Sequence, residues 1–193
     1  NKKNTMACTA LTKGRGLDCN RISGGIKNVY FAVYDQVLSI TEATGEVSDI
    51  DMGTDSIYKY VMPLGVSSLT DTIVGSRENG TIYYTPSLSV ILNRLTKEDQ
   101  NQIKLLAATK LICFVELNAT LTNGHNVIVG LGTVNGMELD AGTMDSGASW
   151  GDRSGYSLTI TGMENKPFPM ILDYTTTPFD NIDSGSQIPI VTS

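Results

Sequence analysis

The residues able to carry chemistry are few and scattered. One histidine, His125, lies in Gly124-His125-Asn126, on or beside a turn. A Ser-His-Asp arrangement would have to use it as its base, yet no GxSxG elbow accompanies it, so it reads as an exposed turn histidine. GLGTVNG (130–136) places glycines as GxGxxxG after an apolar run. A dinucleotide site needs a helix opening directly behind such glycines to hold the pyrophosphate. An Asn-Gly turn and an acidic, Gly-rich stretch follow instead, which excludes that reading. Asp49, Asp51 and Asp55 in SDIDMGTD bring oxygens to short spacing, as hard cations prefer, but lack the EF-hand order and read as an acidic turn. The cysteines are Cys8, Cys19 and Cys113, an odd number with no CxxC, and one histidine completes no zinc site of the usual kind. Cys113, inside the apolar run LICFVEL, reads as a buried thiol. Cys8 and Cys19 either pair or stand free, and the pattern points to a reducing compartment. The chain therefore carries no expected catalytic residue, cofactor or metal.

What must position these residues is a chain of 193 amino acids, the length of one domain with room for extensions, 40% hydrophobic and close to neutral in mean hydropathy. No window approaches 18 consecutive apolar residues, so no membrane anchor is expected. The basic start NKKNTMACTALTKGRG has no apolar core behind it and does not read as a secretory signal. The net charge of −6 is unevenly spread. Residues 1–27 hold six basic side chains against Asp18 alone, a balance of +5. The rest carries eight basic and nineteen acidic groups, a balance of −11. A basic end on an acidic body can bind nucleic acid or the acidic face of another copy, and the acidity of the body favours the second. Basic residues do not interleave with aromatics as in a nucleic-acid groove.

The elements follow from alternation and turns. Residues 1–25, with GRG and GG, read as an extended arm. IKNVYFAVY, VLSITEA, EVSDIDM, SIYKYVMPL and SSLTDTIVGS read as strands, the second and third joined at Thr44-Gly45. Asn79-Gly80 turns the chain into TIYYTPSLSVIL, and Asn123-Gly124 joins LICFVELNATL to NVIVGLGTV, both strong hairpin signals. Between them LTKEDQNQIKLLAATK (95–110) is the one long helix, with Thr96 as N-cap and Asp99 in a capping-box position. Ile103, Leu106 and Ala107 share one helix face, which Leu105, Ala108 and Ile112 widen. Residues 135–155, with five glycines, read as a long loop; SLTITGM is a strand; the tail from Pro167, with four prolines, reads as irregular or extended. Trp150, among small polar residues, either folds back onto the domain or anchors a contact with another chain. The expected fold class is mainly β, an antiparallel sandwich or barrel with one flanking helix at about 95–110. Its parts are an arm at 1–25, a domain at 26–172 holding the helix at 96–110 and the loop at 135–155, and a C-terminal extension at 173–193.

The order of these elements, NGTIYYTPSLSVILNRL, TKEDQNQIKLLAATK, LICFVELN, NVIVGLGTV, a Gly-rich loop and SLTITGMENKPFPMIL, resembles the tail tube proteins of tailed bacteriophages. The opening ACTALTKGRGLDCN…GGIKNVYF is similar to virion structural proteins from phages of Bacteroidetes bacteria. The resemblance spans about residues 7–172. It implies a non-enzymatic virion protein assembled in the host bacterial cytoplasm. Its partners would be further copies of itself, in a ring (commonly a hexamer) stacked on other rings, and other virion proteins. DNA would pass through without specific binding, and an acidic channel wall would let it slide. The same elements also fit a tail hub, a head–tail connector or a capsid-decorating protein. Extensions longer than the usual ~4–6 residue connection bridge subunits in such proteins, so the arm and the 135–155 loop are the expected contacts. Their candidate interface residues are Lys13, Arg15, Arg21, Met137, Glu138, Asp140, Met144, Asp145, Trp150 and Arg153. The competing reading is a carbohydrate-binding β-sandwich module, with Trp150 and Tyr156 as its aromatic platform.

Overall fold

The nine strands read from the sequence form and three more join them; in the computed structural model, which describes residues 14–16 and 23–192, the twelve make a folded-over open sheet. In chain order they are β1 (Ile26–Val33), β2 (Ser39–Ala43), β3 (Glu46–Asp51), β4 (Ile57–Val61), β5 (Ser68–Ser76) and β6 (Thr81–Asn93). After the helix α1 (Lys97–Ala108) come β7 (Leu111–Thr120), β8 (Asn126–Leu131), β9 (Met137–Asp145), β10 (Gly155–Gly162), β11 (Met170–Ile171) and β12 (Ile190–Val191). The chain is thus mainly β with one helix among the described residues. Two layers can be traced. The larger runs β2-β3-β11-β8-β7-β1-β4-β12, and the smaller is the antiparallel set β9-β10-β6-β5; they join at the single bridge Leu111–Met137.

The apolar run Leu111–Val115 is buried throughout because the larger layer is covered on both faces. Phe31, Cys113, Val115 and Leu131 point toward the smaller layer and meet Leu88, Val90, Leu158 and Ile160 there. Their neighbours Tyr30, Ala32, Ile112 and Phe114 point the opposite way, into a second apolar layer with Ile50, Met52 and Ile57. Cys113 is the buried thiol read from the sequence, and burial raises its pKa above the usual thiol range.

That second layer is closed by the C-terminal stretch. It is irregular as expected, but it is no appendage: Phe179, Ile182 and Ile188 are buried in the core. The Phe179 ring lies 5.0 Å from Tyr30 and 5.4 Å from Phe114, both edge-on. Phe179 holds a left-handed φ of 63° to do so, a conformation a bulky residue adopts only when its surroundings enforce it.

The hairpins at Thr44-Gly45, Asn79-Gly80 and Asn123-Gly124 form as read. Pro86, opposite Asp71 of β5, occupies a gap in the ladder on the other side of β6, between Ser87, which pairs with Thr161, and Tyr84, which is bridged to Glu164, so its missing N–H interrupts no bond of a continuous ladder. The helix forms with Thr96 accepting the Asp99 amide at 3.1 Å and donating to the Asp99 carboxylate at 2.6 Å. Ile103 and Leu106 rest on the core. Ala107, expected on the same face, is exposed, and that face is not widened: Leu105 and Ala108 are exposed, and Ile112 belongs to β7 on the opposite side of the layer. The chain leaves the helix at Thr109, whose extended backbone begins the run into β7.

Candidate assembly surface

The expected loop at 135–155 is the main correction. Its first half is β9, paired with β10 from Met137↔Gly162 to Asp145↔Gly155, with a bulge at Asp140. The alternation Met137, Leu139 is broken by that bulge, after which Ala141 and Gly142 offer no large side chain to mark a face. Gly142 brings the strand close to Leu158, whose Cδ2 lies 3.1 Å from where a Cβ would stand. Gly155 is more constrained, since a Cβ there would fall 2.0 Å from the Leu92 carbonyl oxygen. The remaining turn, 146–154, is held by its own bonds. The Asp152 carboxylate accepts the Ala148 and Ser149 amides at 3.0 and 2.7 Å, and these bonds hold its pKa below the usual carboxylate range.

The candidate interface residues separate accordingly. Lys13 and Arg21 lie outside the described residues; Arg15 is described and exposed. Met137 is fully buried and belongs to the core, so it is no surface residue. Arg153 is an internal staple of the turn, its guanidinium donating to the Tyr156 carbonyl at 3.0 Å. Glu138, Asp140, Met144 and Asp145 are exposed along β9, with Glu138 4.0 Å from Lys110. Trp150 stands at the turn, fully exposed, and does not fold back. Tyr156 is buried, so the two rings form no platform.

What the sequence did not reveal is the sheet these residues border. Its strands alternate in direction, and its two outer strands have no strand partner among the described residues on their outer sides: β5 along all nine residues, β9 beyond Met137. Because β5 and β9 run in opposite directions, β5 of one copy beside β9 of the next would continue the antiparallel alternation without a break.

Partners across an antiparallel sheet share a face, so the register gives rows. One row is Thr70, Ser87, Thr161 and Glu138; the next is Ser68, Ser89, Thr159 and Ala141; a third runs Ile91, Ser157, Thr143. These rows face away from the core, carry mostly hydroxyls, and contain no Lys or Arg. The opposite face holds Leu88, Leu158 and Ile160 and is buried. Farther out the β5–β6 hairpin outruns β10, leaving Ile73 and Ile82 exposed on the face that is core at its base.

Elsewhere the polar groups are structural. His125 is half-buried rather than exposed, its ring stacked 4.4 Å from Tyr174 and its Nδ1 3.0 Å from Asp173. Glu116 is buried beneath Lys27 at 3.0 Å, with Asn28 and the Tyr30 hydroxyl donating to its Oε2 at 2.6 and 2.8 Å. Burial and the Glu116 carboxylate drive Tyr30 far above the usual phenol range. Asp49 and Asp51 accept backbone amides of Ser184 and Gly53, and no trio of potential metal ligands gathers among the described residues. Gly132 and Gly136, from GLGTVNG, have positive φ in the tight β8–β9 connection.

Against known proteins, no family model matches the chain, no curated protein matches it, and no solved structure matches its fold.

Proposed function

We propose that the chain is a non-enzymatic structural subunit of a tailed-bacteriophage virion, best placed in the tail tube, where rings of copies stack around a DNA channel. The observation that carries this reading is the four-stranded sheet with two unlike open edges. A contact between unlike edges repeats head to tail and makes a ring when the rotation closes. An open nine-residue edge strand left unpaired in a finished protein is a liability, and pairing removes it. The hydroxyl face would then line the ring. It lacks the cations that hold phosphate, so DNA would meet little sequence-independent attraction. The sequence suggested a wall of Asp and Glu; this face instead offers hydroxyls, with Glu138 and Asp145 at its β9 margin.

The test is negative-stain microscopy of the purified protein together with sedimentation over a range of concentrations. Rings that stack into tubes are expected. A protein that stays monomeric at high concentration defeats the proposal, and rings that never stack favour a hub, connector or capsid-decorating role. Trp150→Ala should leave the unfolding free energy within ~0.5 kcal/mol, as for surface changes generally, while reducing assembly. Unchanged assembly would remove Trp150 from the interface.

A further inference from the structure

At the start of α1 a groove of about 540 Å³ opens between the helix and β4, lined by Tyr58, Tyr60, Val61, Leu92, Glu98 and Asp99. Its aromatic floor and two carboxylates suit a basic segment whose cations can stack on rings as well as pair with charge. Lys59 also borders it, but its ammonium lies over the Tyr30 ring at 5.9 Å, a ring that belongs to the other apolar layer. The carboxylates of the groove therefore go unanswered by that lysine.

The chain has one strongly basic segment, the residues before β1, with Lys2, Lys3, Lys13, Arg15 and Arg21 against Asp18. It joins the fold at the same end of the molecule as the groove, for the Lys27 carbonyl accepts the Met62 amide at 3.2 Å, beside Val61 and Pro63. Its described part, Gly14–Gly16, is exposed, and side chains added at Gly14 or Gly16 would meet nothing within 4 Å. Extended, 22 residues span up to ~70 Å, enough to reach an adjacent subunit.

We infer that residues 1–22 of one copy dock in the Tyr58–Glu98 groove of a second copy. The inference rests on self-association and adds to it a particular contact, distinct from the β5–β9 edges. It joins the basic segment of one subunit, five cations against Asp18, to the acidic body of the next, and added salt weakens such exposed charge pairs.

The experiment uses the full chain, mixed in equal parts from ¹⁴N- and ¹⁵N-labelled cultures and treated with a carbodiimide. This reagent condenses a lysine amine with a carboxylate, losing water, when the two are in contact. Mass spectrometry should find peptides joining Lys13, Lys2 or Lys3 to Glu98 or Asp99, half of them carrying one light and one heavy partner. Glu98→Gln, at an exposed position whose side chain makes no hydrogen bond among the described residues, should diminish them several-fold while β5–β9 assembly persists. Sedimentation of the same sample separates the two ideas. Assembled protein whose arm cross-links are absent, reach other carboxylates, or join only like isotopes overturns the groove contact and leaves the edge pairing standing. A monomeric sample without mixed-isotope products overturns both.

Discussion

Glu116 shows how one charged residue constrains a β core. Its carboxylate is 2% exposed, and the Lys27 ammonium and donors from Asn28 and Tyr30 compensate its desolvation. Removing it leaves the Asn28 amide and the Tyr30 hydroxyl without an acceptor in a dry site. Lys27 is half exposed and keeps the Asn126 side chain as a partner, so the cost comes from the two buried neutral donors, and Glu116→Ala should lower the unfolding free energy by ~1–3 kcal/mol for each of them. Urea unfolding followed by fluorescence measures it, and a loss below ~1 kcal/mol, typical of an exposed pair, would contradict this account. The sequence pointed to the strand through LICFVEL but not to the network, because an isolated Glu after an apolar run looks the same whether it meets solvent or a lysine 89 positions earlier. Cys113, by contrast, was legible, since flanking apolar residues on both sides leave a thiol nowhere but the interior.

The element that most departs from its sequence pattern is the C-terminal stretch, whose prolines and turns conceal three core residues at irregular spacing, Phe179, Ile182 and Ile188. No periodicity connects them, because Phe179 enters the core from one turn while Ile182 and Ile188 enter it from either side of another, closed by Asp183 and Ser186. Asp180 fixes those turns. Burial pushes its carboxyl up, but hydrogen bonds from the Thr175 hydroxyl and the Thr175, Thr176 and Thr177 amides outweigh that and hold it well below the usual aspartate range. A depressed folded-state pKa means that its stabilisation is complete above the ordinary aspartate value of ~3.9 and disappears as the pH falls through the folded value. Acid should thus loosen the tail, and Asp180→Asn should lower Tm at neutral pH while flattening the decline of Tm in acid. Parallel acid profiles for the two proteins would remove Asp180 from this role. Hairpins and helix were legible for the opposite reason: Asn-Gly turns and the Thr96–Asp99 cap act within a few residues. The strand β9 was not, since an edge strand needs a partner on one side only and beyond Met137 its register comes from β10.

At the scale of the whole molecule, the unusual property is a sheet with one buried face, one hydroxyl face and two open edges. Such a sheet in a lone monomer would expose its ladder groups at β5 and β9 to any strand that met them. Closed into a ring, it hides both edges and turns the hydroxyl rows toward the axis or away from it, and the two orientations differ in what a cation on that face would do. Thr159 lies in the row Ser68, Ser89, Thr159, Ala141, away from the core. A lysine there adds a phosphate contact per subunit, and binding that neutralises several phosphates falls steeply with salt. If the face lines a channel, Thr159→Lys assemblies should retain linear DNA at low salt, protect it from nuclease, and release it as salt rises. Closed circular DNA, which cannot thread, should not be retained, and unsubstituted assemblies should hold neither form. Equal retention of circular and linear DNA by the variant would place the hydroxyl face on the outside of the assembly, and with it would go the assignment of the face to a channel.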